Sequence, residues 1–180
     1  MSEIYLDNAA TTPMSPKVID VITDQMKNDF GNASSTYQLG RQARHVIDQA
    51  RHQIAQAINA QDGEIIFTSG GSESNNTAIF GTAYSRKDIG KKIITTKIEH
   101  PSVLNPMKRL EKQGYEVVYL DVDESGHISL DQLKKELTPD TILVSIMAVN
   151  NEVGSIMPIQ KIGELVADSN AYFHVDAVQG

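Results

Sequence analysis

The stretch EIIFTSGGSESNNTAIF, residues 64–80, joins a short apolar run, a glycine pair and a polar segment with helical character. It predicts a strand at 64–68, a tight turn at Gly70 and Gly71, and a helix at 72–84. The first amides of such a helix lack intrahelical acceptors and lie at its positive end, so they favour a bound phosphate. The alternative is an ordinary turn that binds nothing, because the glycine pair matches neither the dinucleotide fingerprint nor the P-loop.

From residue 64 onward, strand-like and helix-like segments alternate along the chain. Strands are predicted at 64–68, 92–96, 116–120, 142–147 and 172–176, and helices at 72–84, 101–113, 130–137 and 158–168. This alternation predicts an α/β fold with a mostly parallel sheet flanked by helices. Ligands bind at the carboxyl ends of the strands in such sheets, so candidate site residues are sought there.

Two further helices are predicted before residue 64. After an extended start, Ser15 as a cap and Pro16 at the first helical position begin the first of them. The second, at 36–59, is long and amphipathic. Its two histidines, His45 and His52, are interpreted as solvated helix residues.

The composition argues against several classes of function. The 180 residues carry a net charge of −7 with a pI near 5.1, so no basic surface for nucleic acid is expected. The chain has no cysteine, hence no disulfide framework and no thiolate metal site, and no metal site of another kind is predicted. The longest apolar run is too short to span a bilayer, and no signal peptide is visible. A soluble, cytoplasmic chain that acts on small molecules is therefore predicted.

Polar residues follow the ends of four predicted strands. They are Ser69-Gly70-Gly71-Ser72, Glu99-His100-Pro101, Val149-Asn150-Asn151-Glu152, and Asp176 with Gln179. A phosphate cradle, an imidazole, an amide and a carboxylate together suit a phosphorylated heteroaromatic ring. The combination suggests pyridoxal 5'-phosphate, because a carboxylate beside the pyridine nitrogen keeps that nitrogen protonated.

Each of these residues also has a purely structural interpretation. His100 could cap the helix that follows it, and Asp176 could cap a later element. Asn150 and Asn151 are ordinary turn residues, and His174 could be a hydrogen-bonded core histidine. Their joint occurrence at successive strand ends, rather than any single residue, favours a functional site.

Six runs of the sequence resemble cysteine desulfurases of the NifS-like group, which are class V, fold-type I pyridoxal phosphate enzymes. The runs are LDNAATTP (6–13), FGNASS (30–35), FTSGGSESNN (67–76), EHPSVLNP (99–106), ILVSIMAVNNEVG (142–154) and FHVDAVQ (173–179). They occur in the family's order, and the resemblance extends over nearly the whole chain. The resemblance implies the large-domain fold of these enzymes.

The resemblance assigns roles to the first part of the site. It implies that Gly71 and Ser72 hold the cofactor phosphate, and that His100 stacks on the ring and relays protons as the catalytic residue. Three positions depart mildly from the family pattern: Ser72 replaces a common threonine, Asn75 a common aspartate, and Ala148 a frequent histidine. None of these departures removes a required group.

The resemblance also assigns the second part of the site. It implies that Asn151 contacts the ring hydroxyl and the substrate, that Asp176 pairs with the pyridine nitrogen, and that Gln179 bonds the ring oxygen. With Gly71, Ser72 and His100, these residues complete the predicted cofactor site.

The resemblance further divides the chain into two parts. Residues 1–15 would be an amino-terminal segment of the small domain, and residues 16–180 the amino-terminal portion of the cofactor-binding large domain. The family's lysine that binds the cofactor covalently and its persulfide cysteine come later than Gly180. The family's strand at 64–68 also pairs with a later segment, so an unpaired strand edge is expected here. The chain is therefore interpreted as a truncated, amino-terminal part of an enzyme, inactive alone.

The activity implied for the parent enzyme is conversion of L-cysteine to L-alanine, with the sulfur transferred as an enzyme persulfide. The acceptor would be an iron–sulfur scaffold or a tRNA-thiolation protein, and the full-length enzyme would be a homodimer that binds neither nucleic acid nor membrane. Two alternatives remain open. One is a related class V enzyme of the selenocysteine lyase type, and the other is a non-catalytic truncated homologue that acts as a binding module.

Overall fold

The computed structural model describes residues 4–180. Residues 1–3, the start of the predicted extended segment, lie outside the described residues. The chain divides into two compact units, one ending at Phe67 and the other covering Thr68–Gly180. Each unit is described by itself.

The first unit contains α1 (Pro16–Asn28), α2 (Gln38–Ala57) and a 3-10 turn at Asp62–Glu64. The Oγ of Ser15 accepts a hydrogen bond from the Val18 amide, and Pro16 occupies the first turn, as predicted. The predicted second helix is two residues too long at each end. His45 and His52 lie on its exposed surface, where the Nδ1 of His52 is 3.0 Å from the Oδ1 of Asp62.

The predicted strand at 64–68 is wrong. Glu64 closes the 3-10 turn, and residues 65–68 are in no sheet within the described part of the chain. Ile65 has the backbone angles of a strand, but Ile66 is 76% exposed and Phe67 47% exposed. The apolar run indicated a strand, yet a strand needs a neighbour that supplies the ladder of hydrogen bonds, and residues 4–180 supply none here.

The second unit is an α/β layer structure, which confirms the predicted fold class. Four parallel strands form one sheet in the order β2-β1-β3-β4. In chain order the elements are α3 (Gly71–Ser85), β1 (Lys92–Thr96), α4 (Pro101–Glu111), β2 (Glu116–Leu120), α5 (Leu130–Glu136), β3 (Thr141–Ser145), α6 (Ile159–Ala167) and β4 (Tyr172–His174). Every predicted element of this unit is present, with ends shifted by at most two residues. The predicted strands at 142–147 and 172–176 are longer than the observed β3 and β4.

Apolar side chains cover both faces of the sheet. On one face, Ile94 and Val144 pack with residues of α5 and α6, such as Leu133 and Ile162. On the other face, the strand residues Ile93 and Leu143 pack with side chains of α3 and α4. These helix residues are Ile79, Ala83, Val103, Met107 and Leu110. Because successive strand residues point to opposite faces, a continuous apolar run is what a sheet covered on both sides requires. The carboxyl ends of the strands are thereby left as the open edge.

None of the helices within residues 4–180 combines the length and the apolar character needed to cross a membrane.

Gly90 lies where the chain passes close to another backbone segment. A Cβ atom added there would stand 2.0 Å from the Asp140 carbonyl oxygen, with no flexible side chain to move away. We expect Gly90→Ala to lower the free energy of unfolding by about 1–3 kcal/mol, the usual cost of overpacking. Denaturant unfolding measures the change.

Gly81 provides the matched control for this substitution. A Cβ at Gly81, inside α3, meets nothing within 4 Å. Gly81→Ala should raise the free energy of unfolding by about 0.5–1 kcal/mol, because alanine loses less backbone entropy in a helix. Equal effects of the two substitutions would contradict the close approach at Gly90.

Candidate active site

The predicted phosphate cradle lies at the amino terminus of α3. Gly71 begins this fifteen-residue helix, and the free amides of its first turn follow. A Cβ at Gly71 would lie 2.8 Å from the Cγ2 of Val178, so glycine permits the close approach of the chain beyond β4. Ser72 is exposed beside it. An anion placed here would meet backbone donors at the positive end of a helix.

Glu73 accepts two hydrogen bonds from Ser69, two residues before the start of α3. Its Oε2 accepts hydrogen bonds from the amide and the hydroxyl of Ser69, each at 2.7 Å. The bond from the Ser69 amide, followed by that from its hydroxyl, lowers the pKa of Glu73 below its ordinary value. Ser69 is thus committed to shaping the loop, and the amides of Gly71 and Ser72 are the donors left for a ligand.

A chain of hydrogen bonds connects Asp176 to His100. The amide nitrogen of Asn75 donates to the Oδ2 of Asp176 at 2.8 Å and to the Oγ of Ser102 at 2.9 Å. The Oγ of Ser102 lies 2.8 Å from the Nδ1 of His100, and the backbone amide of Ser102 donates to the same nitrogen at 3.1 Å. The three elements that supply these residues, α3, α4 and the segment after β4, are thereby joined at one edge of the sheet.

Asp176 is a buried carboxylate at this edge, with 8% of its surface exposed. Besides the bond from Asn75, its Oδ1 accepts from the Val178 amide at 3.1 Å, and its carbonyl oxygen accepts from the Ala148 amide at 2.8 Å. Side chain and backbone are therefore both fixed, and the carboxylate is held in one orientation beside the end of β3.

His174 lies close to Asp176, but its side chain is hydrogen-bonded to the neighbouring strand. Its Nδ1 is 2.8 Å from the Oγ of Ser145 on the neighbouring strand. Burial lowers the pKa of His174, and the nearby Asp176 carboxylate opposes that shift. The structural interpretation of this histidine is confirmed.

Glu99, which directly precedes His100, is 4% exposed. Its Oε1 accepts from the Thr96 hydroxyl at 2.8 Å and from the Met147 amide at 3.0 Å, so it ties the end of β1 to the end of β3. Its Oε2 is buried and has no hydrogen-bond partner among the described residues. Burial, with a smaller contribution from Asp176, raises the pKa of Glu99 to about 7 against the two hydrogen bonds.

The two asparagines after β3 have different environments. Asn150 is buried: its amide donates to the Ile98 carbonyl at 2.8 Å, and its Oδ1 accepts from the amides of Glu152 and Val153. Asn151 is half-buried and donates to the Oε1 of Glu152 at 2.8 Å. Asn150 therefore shapes the turn, and Asn151 is the member of the pair with an accessible amide.

The structure brings together most of the predicted site residues. Ser72 and His100 line one groove of about 430 Å³ between the starts of α3 and α4. Asp176 is not among the described residues that line this groove, and Asn75 and Ser102 connect it to His100 by hydrogen bonds. Asn151 lies in the turn after β3, and Gln179 is half-buried three residues beyond Asp176. The ligand contacts predicted for Asn151 and Gln179 stay predictions.

The sequence model of the family described as aminotransferase class-V matches residues 4–180. The chain belongs to the class-V aminotransferase family.

Individual class-V proteins are similar to the chain over nearly all of its length. A relative in Bacillus subtilis strain 168 named "Putative cysteine desulfurase IscS 1" is 52% identical over 179 residues, which is 99% of this chain and 47% of that protein. A solved structure titled "NIFS-LIKE PROTEIN" is 38% identical, with a TM-score of 0.96 over 99% of this chain and 50% of that one. A second, titled "SspA in complex with cysteine", is 40% identical with a TM-score of 0.91 over 96% and 50%. The chain thus spans about half the length of the relatives that it matches.

The class-V chain presents residues that fit pyridoxal phosphate, the cofactor that membership of the family implies. The first amides of α3, at Gly71 and Ser72, offer donors to an anion, and Asp176 offers a fixed, buried carboxylate. Gly71, Ser72 and Asp176 would hold the phosphate and the ring nitrogen, with His100 at the same groove.

Sequence reasoning gave no role at this class-V site to Glu99, Asn75 or Ser102. All three stand inside motifs quoted for the resemblance, but a motif does not indicate which of its members touch each other. Asn75 and Asp176 are separated by 101 positions, so their contact becomes visible only in the folded chain. A buried carboxylate with a free oxygen, as at Glu99, has no sequence signature at all.

Proposed function

We propose that the chain is the amino-terminal half of a pyridoxal phosphate-dependent cysteine desulfurase that converts L-cysteine to L-alanine and passes on the sulfur. The observation that carries the proposal is the hydrogen-bonded connection of Asp176 to His100 beside the Gly71 cradle. The names of the relatives support the reaction, and the neighbour whose title includes bound cysteine supports the substrate.

The cofactor supplies an electron sink for the substrate's α-carbon when it is bound. The protein's part is to bind and orient. The amides of Gly71 and Ser72 would fix a phosphate, and Asp176 would keep a proton on the ring nitrogen. His100 would stack on the ring and move protons to and from the substrate, while Asn151 would contact the substrate and Gln179 the ring oxygen.

The proposal includes the wider setting of the parent enzyme. It would be a cytoplasmic homodimer that gives its sulfur to an iron–sulfur scaffold or a tRNA-thiolation protein, with the persulfide carried on a cysteine. The 180 residues themselves contain no cysteine, so the persulfide would form outside them.

The direct test is to incubate the intact protein with L-cysteine and excess dithiothreitol, whose thiols reduce the persulfide and release its outer sulfur as sulfide, and to quantify alanine and sulfide. Equal amounts of both products are expected. Alanine without sulfide, or turnover of selenocysteine alone, would contradict the proposed reaction.

Asp176→Ala should weaken pyridoxal phosphate binding by the intact protein at least tenfold, because the substitution removes the buried partner of the ring nitrogen. Asp88→Ala, at an exposed turn carboxylate, is the matched control and should leave the affinity unchanged. Cofactor absorbance after dialysis against graded concentrations measures both. Unchanged retention by Asp176→Ala would remove that residue from the site.

The 180-residue chain alone is expected to bind pyridoxal phosphate only non-covalently. Lys97, the lysine nearest to His100 in sequence, pairs with Asp121 at 2.5 Å, and the buried Lys92 pairs with Glu136 at 3.1 Å. Borohydride reduction followed by mass measurement tests this expectation. A stoichiometric reduced adduct on one lysine of this chain would contradict it.

A further inference from the structure

We propose that Asn75 and Ser102 are positioning residues that couple the Asp176 carboxylate to the His100 ring and fix which ring nitrogen faces a ligand. The inference rests on the proposed function for its catalytic meaning. Its physical content, the coupling itself, can be measured without substrate or cofactor.

The direction of each hydrogen bond between Asp176 and His100 follows from the chemical groups at the two ends of this series. A carboxylate can only accept, so Asn75 must present its NH₂ group to Asp176, and its second hydrogen then reaches the Oγ of Ser102. At the other end, the backbone amide of Ser102 can only donate, so the Nδ1 of neutral His100 must accept. The Ser102 hydroxyl, which already accepts from Asn75, donates its own hydrogen to Nδ1.

This assignment places the proton of neutral His100 on Nε2, by the logic of the hydrogen-bond network. Nε2 takes no part in the chain of bonds, and His100 lines the groove that it shares with Ser72. Nε2 is therefore the ring nitrogen outside this network and the one available to a ligand, while Nδ1 is occupied by Ser102.

Asp176 affects His100 by polarising the hydrogen bonds that connect them. Negative charge on Asp176 draws the Asn75 hydrogen toward it and orients the amide dipole, and bonds in a chain strengthen one another in a low-dielectric setting. Asn75 is 3% exposed, so water does not compete at the middle of the chain. A change of charge at Asp176 is thereby passed to Nδ1 of His100 through Ser102.

An ionised aspartate at position 75 would have no hydrogen to donate to Asp176, so the connection needs the amide of Asn75. With Asn75 both donor hydrogens are used, one for each neighbour.

The experiment is a double-mutant cycle read by ¹⁵N spectra of the histidine rings in the intact protein, labelled on histidine and free of substrate and cofactor. His100→Gln assigns the His100 signals. Asp176→Asn should shift the Nδ1 resonance of His100 in the otherwise unchanged protein, and this shift should disappear when Ser102→Ala is also present. Neutral His100 should carry its proton on Nε2 in the unchanged protein.

Two controls keep the outcome interpretable. Ser85→Ala, an exposed serine at the end of α3, should leave the Asp176-dependent shift intact. His174 senses Asp176 directly, so its signal should respond to Asp176→Asn in every background and report a folded edge. A His100 shift that survives Ser102→Ala, or no shift in any background, would overturn the proposal.

A kinetic readout separates this inference from the proposed function. Ser102→Ala should lower kcat for alanine formation about tenfold, the order expected for one hydrogen bond, and leave KM nearly unchanged. Absence of desulfurase activity in the unchanged protein would refute the proposed function. The coupling between Asp176 and His100 would still be decided by the ¹⁵N spectra alone.

Discussion

His100→Ala in the intact protein should slow alanine formation from cysteine by about 10²–10⁴-fold, the usual contribution of general acid–base catalysis. The cofactor should be retained, because the cradle at Gly71 and the carboxylate of Asp176 do not depend on the imidazole. His100→Gln should be equally slow, since an amide cannot relay a proton. Single-turnover measurement of alanine, with cofactor absorbance as the check on binding, gives both quantities.

His127→Ala is the matched control for this prediction. His127 lies in the turn between β2 and α5, where its amide donates to Asp123, and it should be replaceable without loss of rate. An unchanged rate for His100→Ala would mean that this histidine only caps α4, where its Nδ1 accepts from the Ser102 amide. The capping interpretation would then be the correct one.

Glu99→Gln should make the protein more stable in neutral and alkaline solution, by about 3 kcal/mol at most. The pKa of Glu99 rises from 4.5 to about 7 on folding, and each unit corresponds to about 1.4 kcal/mol. Glutamine is neutral at every pH and can keep an oxygen for the Thr96 and Met147 donors. It therefore removes the cost of a buried charge without removing the tie between β1 and β3.

The pH window follows from the sign of the shift. Below pH 4.5 Glu99 holds its proton in both the folded and the unfolded chain, so its ionisation costs no stability. Between 4.5 and about 7 the unfolded chain loses the proton first, so the free energy of unfolding falls as the pH rises. Above about 7 the folded chain has also lost it, and the full cost remains.

Urea unfolding near pH 4 and near pH 8 measures the effect, with Glu164→Gln as a control at an exposed site of α6. The Glu99 variant should differ from the unchanged protein near pH 8 and match it near pH 4. The control should match at both. A stability difference that is the same at the two pH values would show that Glu99 acts through its shape and not through its charge.

The sequence predicts the sheet well because its signals are local. Ile93, Ile94 and their neighbours form apolar runs, and punctuation such as Gly114 and the cap at Ser129 marks where helices end or begin. Each of these signals acts within one turn or one strand. The parallel direction of the strands and the two-sided core then follow from the alternation of elements. The strand order β2-β1-β3-β4 was not predicted.

The sequence fails where structure depends on distant partners. Residues 64–68 have the composition of a strand, but only a neighbouring strand can make them one. Glu99 and Ser102 are ordinary polar residues in sequence, and their importance comes from what folding places around them. The predicted site residues lie beyond strand ends or at the start of α3, but the hydrogen bonds that connect them were not foreseen.

The bond between Asn75 and Asp176 also has a consequence for the order of folding. It joins residues 101 positions apart, near the two ends of the second unit, and so closes a long loop. Contacts of such high sequence separation form late, after local helices and nearby strand pairs have reduced the entropy of closure. On the ribosome, α3 and β1 emerge and can begin to order well before Asp176 is synthesised. Binding of the proposed cofactor at this edge would therefore come after the unit has folded, because a chain stalled before β4 has the α3 terminus but lacks the Asp176 carboxylate.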